Sequence, residues 1–220
     1  MGLLKLLGFC VCVFLVCALS SGFGWAQAQD PPEEAISAAQ AGLSDYLQAI
    51  PPTDLSYFNF QSLEQVEQAT LGDPFMIYTI DPYDILAFKG DTPVRYLLQE
   101  TGIWMFPVMA EGKMRTFLKV EKRDQKWQAI SLGASGLCEE WDNIAAAYPA
   151  DKNYTLKMVR IYQATSDLVL LDLPQGGNAF LPLRSARIAL GVEGGKLQDP
   201  AQVLFDLQQP VRQNLEQFSN

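Results

Sequence analysis

The loop from Gly133 to Gly136 carries the residues that most directly suggest chemistry. It joins a predicted strand to a predicted helix, so its backbone N–H groups, together with Ser135, could converge on an anion at the positive end of that helix. Cys138 lies at the same helix end, where an exposed thiol would have a lowered pKa. The loop lacks the lysine and the length of a phosphate-binding P-loop. A flexible turn followed by a core cysteine is the alternative.

Three arginines stand out as cations in an acidic chain: Arg160, Arg184 and Arg187. If Arg160 and Arg184 lie on adjacent strands, their planar guanidinium groups could clamp a carboxylate of a ligand. Ordinary pairing with the surplus acidic side chains is the alternative for all three.

Aromatic residues are concentrated in one connector and one predicted strand. Tyr57, Phe58 and Phe60 lie in the connector, and Trp104 and Phe106 lie in the strand. They could build a groove for a sugar or a peptide, although aromatic side chains mostly fill cores. The predicted ligand-binding residues are therefore Gly133, Ser135, Gly136, Arg160, Arg184, Arg187 and Trp104.

Two groups of carboxylates are close in sequence, Asp81 with Asp84 and Glu139 with Glu140 and Asp142. Glycoside hydrolysis needs two carboxylates facing one cleft, and neither group has the spacing of a calcium loop. Helix capping and solvated helix faces explain both groups, so we predict no metal and no cofactor.

The chain of 220 residues contains no histidine. This excludes Ser-His-Asp and Cys-His nucleophilic catalysis, histidine-ligated haem and most zinc sites. Three of the four cysteines precede residue 18, so only Cys138 remains beyond the leader. The catalytic options that remain are carboxylate pairs, lysine, tyrosine, or serine with lysine.

The first 28 residues are typical of an export signal. Lys5 supplies a positive charge, Leu6 to Leu19 is an uncharged apolar run, and Ala26-Gln27-Ala28 has the small-x-small pattern of a cleavage site. The run is shorter than the roughly 20 residues that cross a bilayer. We therefore predict a secreted or periplasmic protein. A retained leader is the alternative, and it would be the protein's only contact with a membrane.

Charge excludes two classes of partner. Without the leader, 192 residues carry 15 basic and 25 acidic side chains. Nucleic acids and anionic membrane surfaces need a basic face, so neither is an expected partner. The length suits one domain with a substantial core.

The elements that position these residues follow one another along the chain as helices, then strands, then one helix, then further strands. The apolar stripe from Ile36 to Ile50 predicts a helix with Asp30 as its N-cap, and Ser62 is expected to cap a second helix. Arg184–Leu190 is expected to extend the last strand, and Tyr83–Phe88 is either a strand or a short helix. Alternation and turn residues predict strands at 75–80, 103–110, 114–121, 127–132, 155–163, 168–173 and 179–182, with a helix at 137–148.

This order indicates an α+β fold, with N-terminal helices packed on one curved antiparallel sheet. The layout is similar, loosely, to cystatin-like and NTF2-like architectures, although no family motif carries the likeness. We expect one domain over residues 29–191 and a C-terminal extension over 192–220, partly helical or flexible and frayed after Pro210. Pro107 inside a strand indicates a sheet edge or a bulge.

The function that these observations favour is an exported, non-catalytic binding or accessory domain. It would recognise a peptide, a protein or a small ligand through the open face of the sheet, or by strand addition at the edge near Pro107. The alternative is an exported enzyme that depends on carboxylates, lysine or tyrosine.

Overall fold

Six helices and eight strands are present in a computed structural model that describes residues 30–218. The helices are α1 (Glu33–Gln48), α2 (Leu63–Glu67), α3 (Pro82–Ala87), α4 (Ser135–Ala147), α5 (Arg184–Leu190) and α6 (Pro200–Phe218). The strands are β1 (Thr70–Leu71), β2 (Phe75–Ile80), β3 (Leu98–Ala110), β4 (Lys113–Arg123), β5 (Lys126–Gly133), β6 (Thr155–Ile161), β7 (Ser166–Asp172) and β8 (Asn178–Pro182). Short 3-10 helices occur at Pro52–Phe58, Val94–Tyr96, Ala150–Lys152 and Tyr162–Ala164.

All eight strands form one sheet, in the order β5-β4-β3-β2-β6-β7-β8, with β1 beside β3. The predicted strands at 103–110, 114–121 and 127–132 are confirmed as parts of β3, β4 and β5, which pair as an antiparallel meander. Its two turns, Glu111-Gly112 and Asp124-Gln125, have positive φ at both residues. Such turns match the twist of the strands that they join, which explains why the two hairpins close tightly.

The two runs of strands meet at the centre of the sheet, through β2 and β6. This pair is parallel, with Ile77 opposite Met158, whereas the other neighbouring pairs are antiparallel. A parallel pair needs a long crossover, and here the chain from β3 through α4 supplies it. The α+β class and an antiparallel-dominated sheet are therefore shown.

Both faces of the central strands are buried, because successive side chains point to opposite faces. On one face, α1 packs on the core around Trp104, while α6 packs on the core around Leu168. On the other face, α4 packs on Phe117 and Met158. The expectation that a face of the sheet is open for binding is wrong for these strands.

Pro107 is buried and does not lie at an exposed edge. It faces Phe117 of β4, and its carbonyl accepts a 2.7 Å hydrogen bond from the N–H of Gly72 beside β1. The register shifts between Val108 and Met109, so a bulge accommodates the proline. Strand addition at Pro107 is therefore excluded by the strand and segment that already flank it.

Several predicted boundaries are corrected. The N-cap of α1 is Pro32 and makes no side-chain capping bond, so Asp30 does not cap the helix. Of the two alternatives for residues 83–88, the short helix is confirmed over residues 83–87, and the N-cap carboxylate of Asp81 accepts a 2.8 Å hydrogen bond from the N–H of Tyr83. Residues 184–190 form a helix rather than more strand.

The C-terminal segment is a single helix that continues through Pro210 to Phe218. Val211 is fully buried against the sheet, so the expected fraying after Pro210 is wrong. The predicted leader lies outside the described residues. Within residues 30–218, every helix is too short or too polar to cross a bilayer.

Candidate ligand-binding cleft

The loop from Gly133 to Gly136 anchors the connector that follows α1. The Ser135 hydroxyl donates to the carbonyl of Tyr57 at 2.7 Å. The side-chain amide of Asn59 donates to the carbonyl of Ser135 at 3.1 Å and to that of Arg115 at 3.0 Å. Asn59 has the left-handed backbone that ends the 3-10 helix, which aims its amide at both carbonyls. The loop thus joins three elements, and anion binding by it stays a prediction.

Cys138 is a core residue, as the alternative interpretation held. It belongs to α4, is 1 % exposed, and lies in the core between this helix and the sheet. Burial, and secondly the negative charge of Asp142, raise the pKa of the thiol to about 12. The lowered pKa predicted for an exposed thiol does not apply, because the thiol is buried.

The three arginines do not form a carboxylate clamp, because Arg160 lies on β6 and Arg184 begins a helix. Arg160 pairs with both carboxylate oxygens of Asp167, at 2.6 and 3.1 Å. Arg187 pairs with Glu140 at 2.7 Å, and the backbone N–H of Arg184 donates to the same carboxylate at 3.1 Å. Pairing with surplus acids is confirmed for Arg160 and Arg187.

The predicted aromatic groove is not formed. Trp104 and Phe106 are each 2 % exposed in the core beneath α1, and Phe60 is equally buried. Tyr57 is 74 % exposed and contacts Phe58 edge to face, with 5.4 Å between ring centroids.

An open cleft of about 700 Å³ lies between the connector, the start of β4 and α4. It adjoins the contact between the connector and Ser135, and it has polar side chains of both charges on its walls. The polar lining of the cleft includes Asn59, Gln61, Lys113, Arg115, Glu139 and Asp142.

Arg115 is the buried polar group of this cleft, with a side chain 9 % exposed. Its Nη2 lies 3.2 Å from the carboxylate of Glu111, and its Nη1 donates to the carbonyl of Asn59 at 3.3 Å. The Gln65 amide donates to the same carboxylate at 2.7 Å. The Nε of Arg115 is buried without a hydrogen-bond partner in the described structure, an arrangement that costs about 1–3 kcal/mol.

Charges of opposite sign lie on two walls of the cleft. Lys113 and Arg115 lie on β4, whereas Glu139 and Asp142 lie on α4. Among residues 30–218, no ion pair within 4 Å uses Lys113, Glu139 or Asp142. These charges are exposed and available to a ligand. No group of three metal-ligating side chains occurs in the described part of the chain, and we assign no metal to the cleft.

The sequence predicted a site at Ser135, beside this cleft, but not the residues that line the cleft. The sequence favours a solvated helix face for Glu139 and Asp142 and gives no signal for a site at Lys113. Asn59 lies 76 residues from Ser135, so their contact has no local signal in the sequence. The left-handed conformation favoured by asparagine was the available hint that this connector makes a specific turn.

Comparison with known proteins identifies no relative: no family model, no curated protein and no solved structure matches the chain. The geometry of the cleft is therefore the evidence for the protein's function.

Proposed function

We propose that this chain is an exported, non-catalytic binding protein whose cleft takes an amino acid or a short peptide with free termini. The observation that carries the proposal is the opposite charge of the two walls, with unpaired Lys113 on one and unpaired Glu139 and Asp142 on the other. Such a cleft complements a zwitterion, since the ligand's carboxylate can lie toward β4 and its ammonium toward α4.

Neutral amides are expected to bind the ligand's peptide groups. Gln61 lines the third wall and is exposed, so its amide can donate and accept, whereas both N–H groups of the neighbouring Asn59 amide already bind protein carbonyls and leave only its oxygen to a ligand. Exposed ion pairs contribute about 0.2–1 kcal/mol each, so charge alone gives weak binding. We expect an affinity on the order of 0.1–1 mM for a tripeptide without favourable side chains, since about −4 kcal/mol corresponds to about 1 mM.

Binding is favoured over catalysis because several carboxylates already have cationic partners. Asp167, Glu140 and Asp172 pair with Arg160, Arg187 and Lys157. Glu139 and Asp142 are exposed, whereas enzymes exclude water around the groups that react. An enzyme that depends on carboxylates, lysine or tyrosine would instead turn over an added substrate.

Calorimetric titration of residues 29–220 with trialanine tests the cleft. We expect N-acetyl-trialanine amide, which lacks both charges, to bind about tenfold more weakly, as the loss of about 1.4 kcal/mol implies. Lys113→Gln and Asp142→Asn should each weaken trialanine binding by up to about 5-fold, the equivalent of about 1 kcal/mol.

Lys152→Gln is the matched control, because Lys152 is exposed outside the cleft. Equal binding of the charged and blocked peptides, or no binding of trialanine at all, would contradict the proposal.

Export rests on the leader. We expect the mature protein to begin at Gln29, and the intact mass of protein recovered outside the cytoplasm measures this directly. A mass that includes Met1 would favour a retained leader.

The cystatin-like or NTF2-like layout also stays part of the proposal, and superposition of an experimental structure on those architectures tests it.

A further inference from the structure

The strand β5 is an edge of the sheet. Within the described residues it pairs with β4 alone. The opposite edge, β8, is partly covered, because Phe180 and Gln198 exchange two backbone hydrogen bonds of 2.8 and 3.0 Å. On β5, the carbonyl of Ala129 accepts one long contact of 3.4 Å from the Tyr46 hydroxyl. An edge strand presents unpaired N–H and C=O groups that can template a further strand.

The sequence of β5 offers little protection against such pairing. It spans eight residues, contains no proline, and carries its single charge at Lys126. Natural edge strands are usually shortened or carry prolines and inward-pointing charges. The protective features of β5 are a bulge opposite Lys119 and Val120 and the charge of Lys126 at one end. A long, nearly uncharged edge is typical of sites for strand addition.

Charge indicates which strand the edge would accept. Residues 119–126 hold four of the chain's sixteen basic side chains, although the whole chain has a net charge of −9. Glu121 in this hairpin is already paired with Lys119, at 3.7 Å, and with Arg123. In the described structure, Lys122 and Lys126 are exposed and form no ion pair within 4 Å. Asp124 in the turn is exposed and acidic, so residues 119–126 carry four basic and two acidic side chains, and the end of β5 at the β4–β5 turn is a basic patch of net charge +2 on an acidic protein.

We propose that β5 binds an extended acidic segment of a partner protein as an additional strand of the sheet. Backbone hydrogen bonds to the β5 edge supply affinity, and acidic side chains near Lys122 and Lys126 select the segment. The β5 edge does not line the cleft of the proposed function. The two sites are therefore independent.

Fluorescence anisotropy with an eight-residue blocked peptide, in which valine alternates with glutamate, tests the proposal on residues 29–220. We expect binding that weakens as salt is raised, because exposed charges are screened over about 10 Å at 0.1 M salt. The same peptide with lysine in place of glutamate should not bind. The double variant Lys122→Glu with Lys126→Glu should lose about tenfold in affinity, as expected for two reversed charges near the interface.

The double variant Lys89→Glu with Lys152→Glu is the matched control, since it reverses two charges at exposed positions outside β5, and Lys152→Glu alone is the single-reversal control. Hydrogen exchange provides the second measurement: amides of residues 126–133 should become protected when the acidic peptide is bound. The proposal is overturned if the peptide does not bind, if it binds without protecting β5, or if the double control variant weakens it equally.

Discussion

The thiol of Cys138 has a pKa of about 12, chiefly because burial disfavours the thiolate and secondly because of the charge on Asp142. The ordinary value is 9.0, so between pH 9 and pH 12 the unfolded chain releases this proton while the folded chain retains it. The stability contribution is therefore complete below pH 9 and falls above it, by at most about 1.4 kcal/mol per pH unit. Urea denaturation on both sides of pH 9 should show this loss in the wild type and not in Cys138→Ala. If the free energy of unfolding fell equally with pH in both proteins, the raised pKa of the Cys138 thiol would be contradicted.

Two glycines differ in what an added methyl group would meet. At Gly42 in α1, a Cβ would lie 2.3 Å from the Cβ of Ala129 in β5, whereas at Gly136 in α4 it meets nothing within 4 Å. Gly42→Ala should destabilise the fold by about 1–3 kcal/mol through overpacking. Gly136→Ala, the control, should be neutral or stabilise by about 0.5 kcal/mol, because alanine favours the helix. Urea denaturation measures both. A Gly42→Ala protein as stable as the wild type would show that α1 and β5 separate easily.

At the scale of elements, α6 completes the core and is not an appendage. Its Val211 is fully buried, and Gln208 donates two 3.0 Å hydrogen bonds to the carbonyls of Ile85 and Phe88 at the end of α3. Val211→Ala should lower the free energy of unfolding by about 1–3 kcal/mol. Gln213→Ala, two residues away on the exposed side, should change it by less than about 0.5 kcal/mol. Equal effects in denaturation would indicate that the helix beyond Pro210 is not packed.

Local sequence patterns predicted two kinds of element. The first has one exposed and one buried face, and the second is bounded by clear turn residues. The hairpin from Met114 to Leu132 belongs to the second kind, because two turns bound its strands, whereas Arg115 to Leu118 in β4 are all buried. Residues 184–190 were misassigned, since a short apolar segment fits a strand or a helix. Ala186 and Leu190, four residues apart and both in the same core cluster, were the sign of a helix.

At the scale of the whole molecule, the pairing of β2 with β6 could not be predicted from the sequence. The Thr79 hydroxyl donates to the carbonyl of Arg160 at 2.8 Å across this pair, although the two residues are 81 positions apart. Such pairing depends on which buried strands fit together after the helices have packed, and no local pattern records it. The cleft was missed for the same reason, because its three walls come from distant segments.

This central pair also predicts that neither half of the chain folds alone. The core beneath α4 combines Ile77 and Phe117 from the first half with Met158 and Val169 from the second. Residues 30–149 alone would expose Ile77 along a new sheet edge, so we expect no cooperative thermal transition by circular dichroism. Mixing them with residues 150–218 should restore that transition, because the exposed 3-10 helix Ala150–Lys152 tolerates a break. Full-length protein cleaved once in this segment is the control and should stay folded. A cooperative transition in residues 30–149 alone would show that the parallel pair joins two independent units, contrary to a core that draws its residues from both.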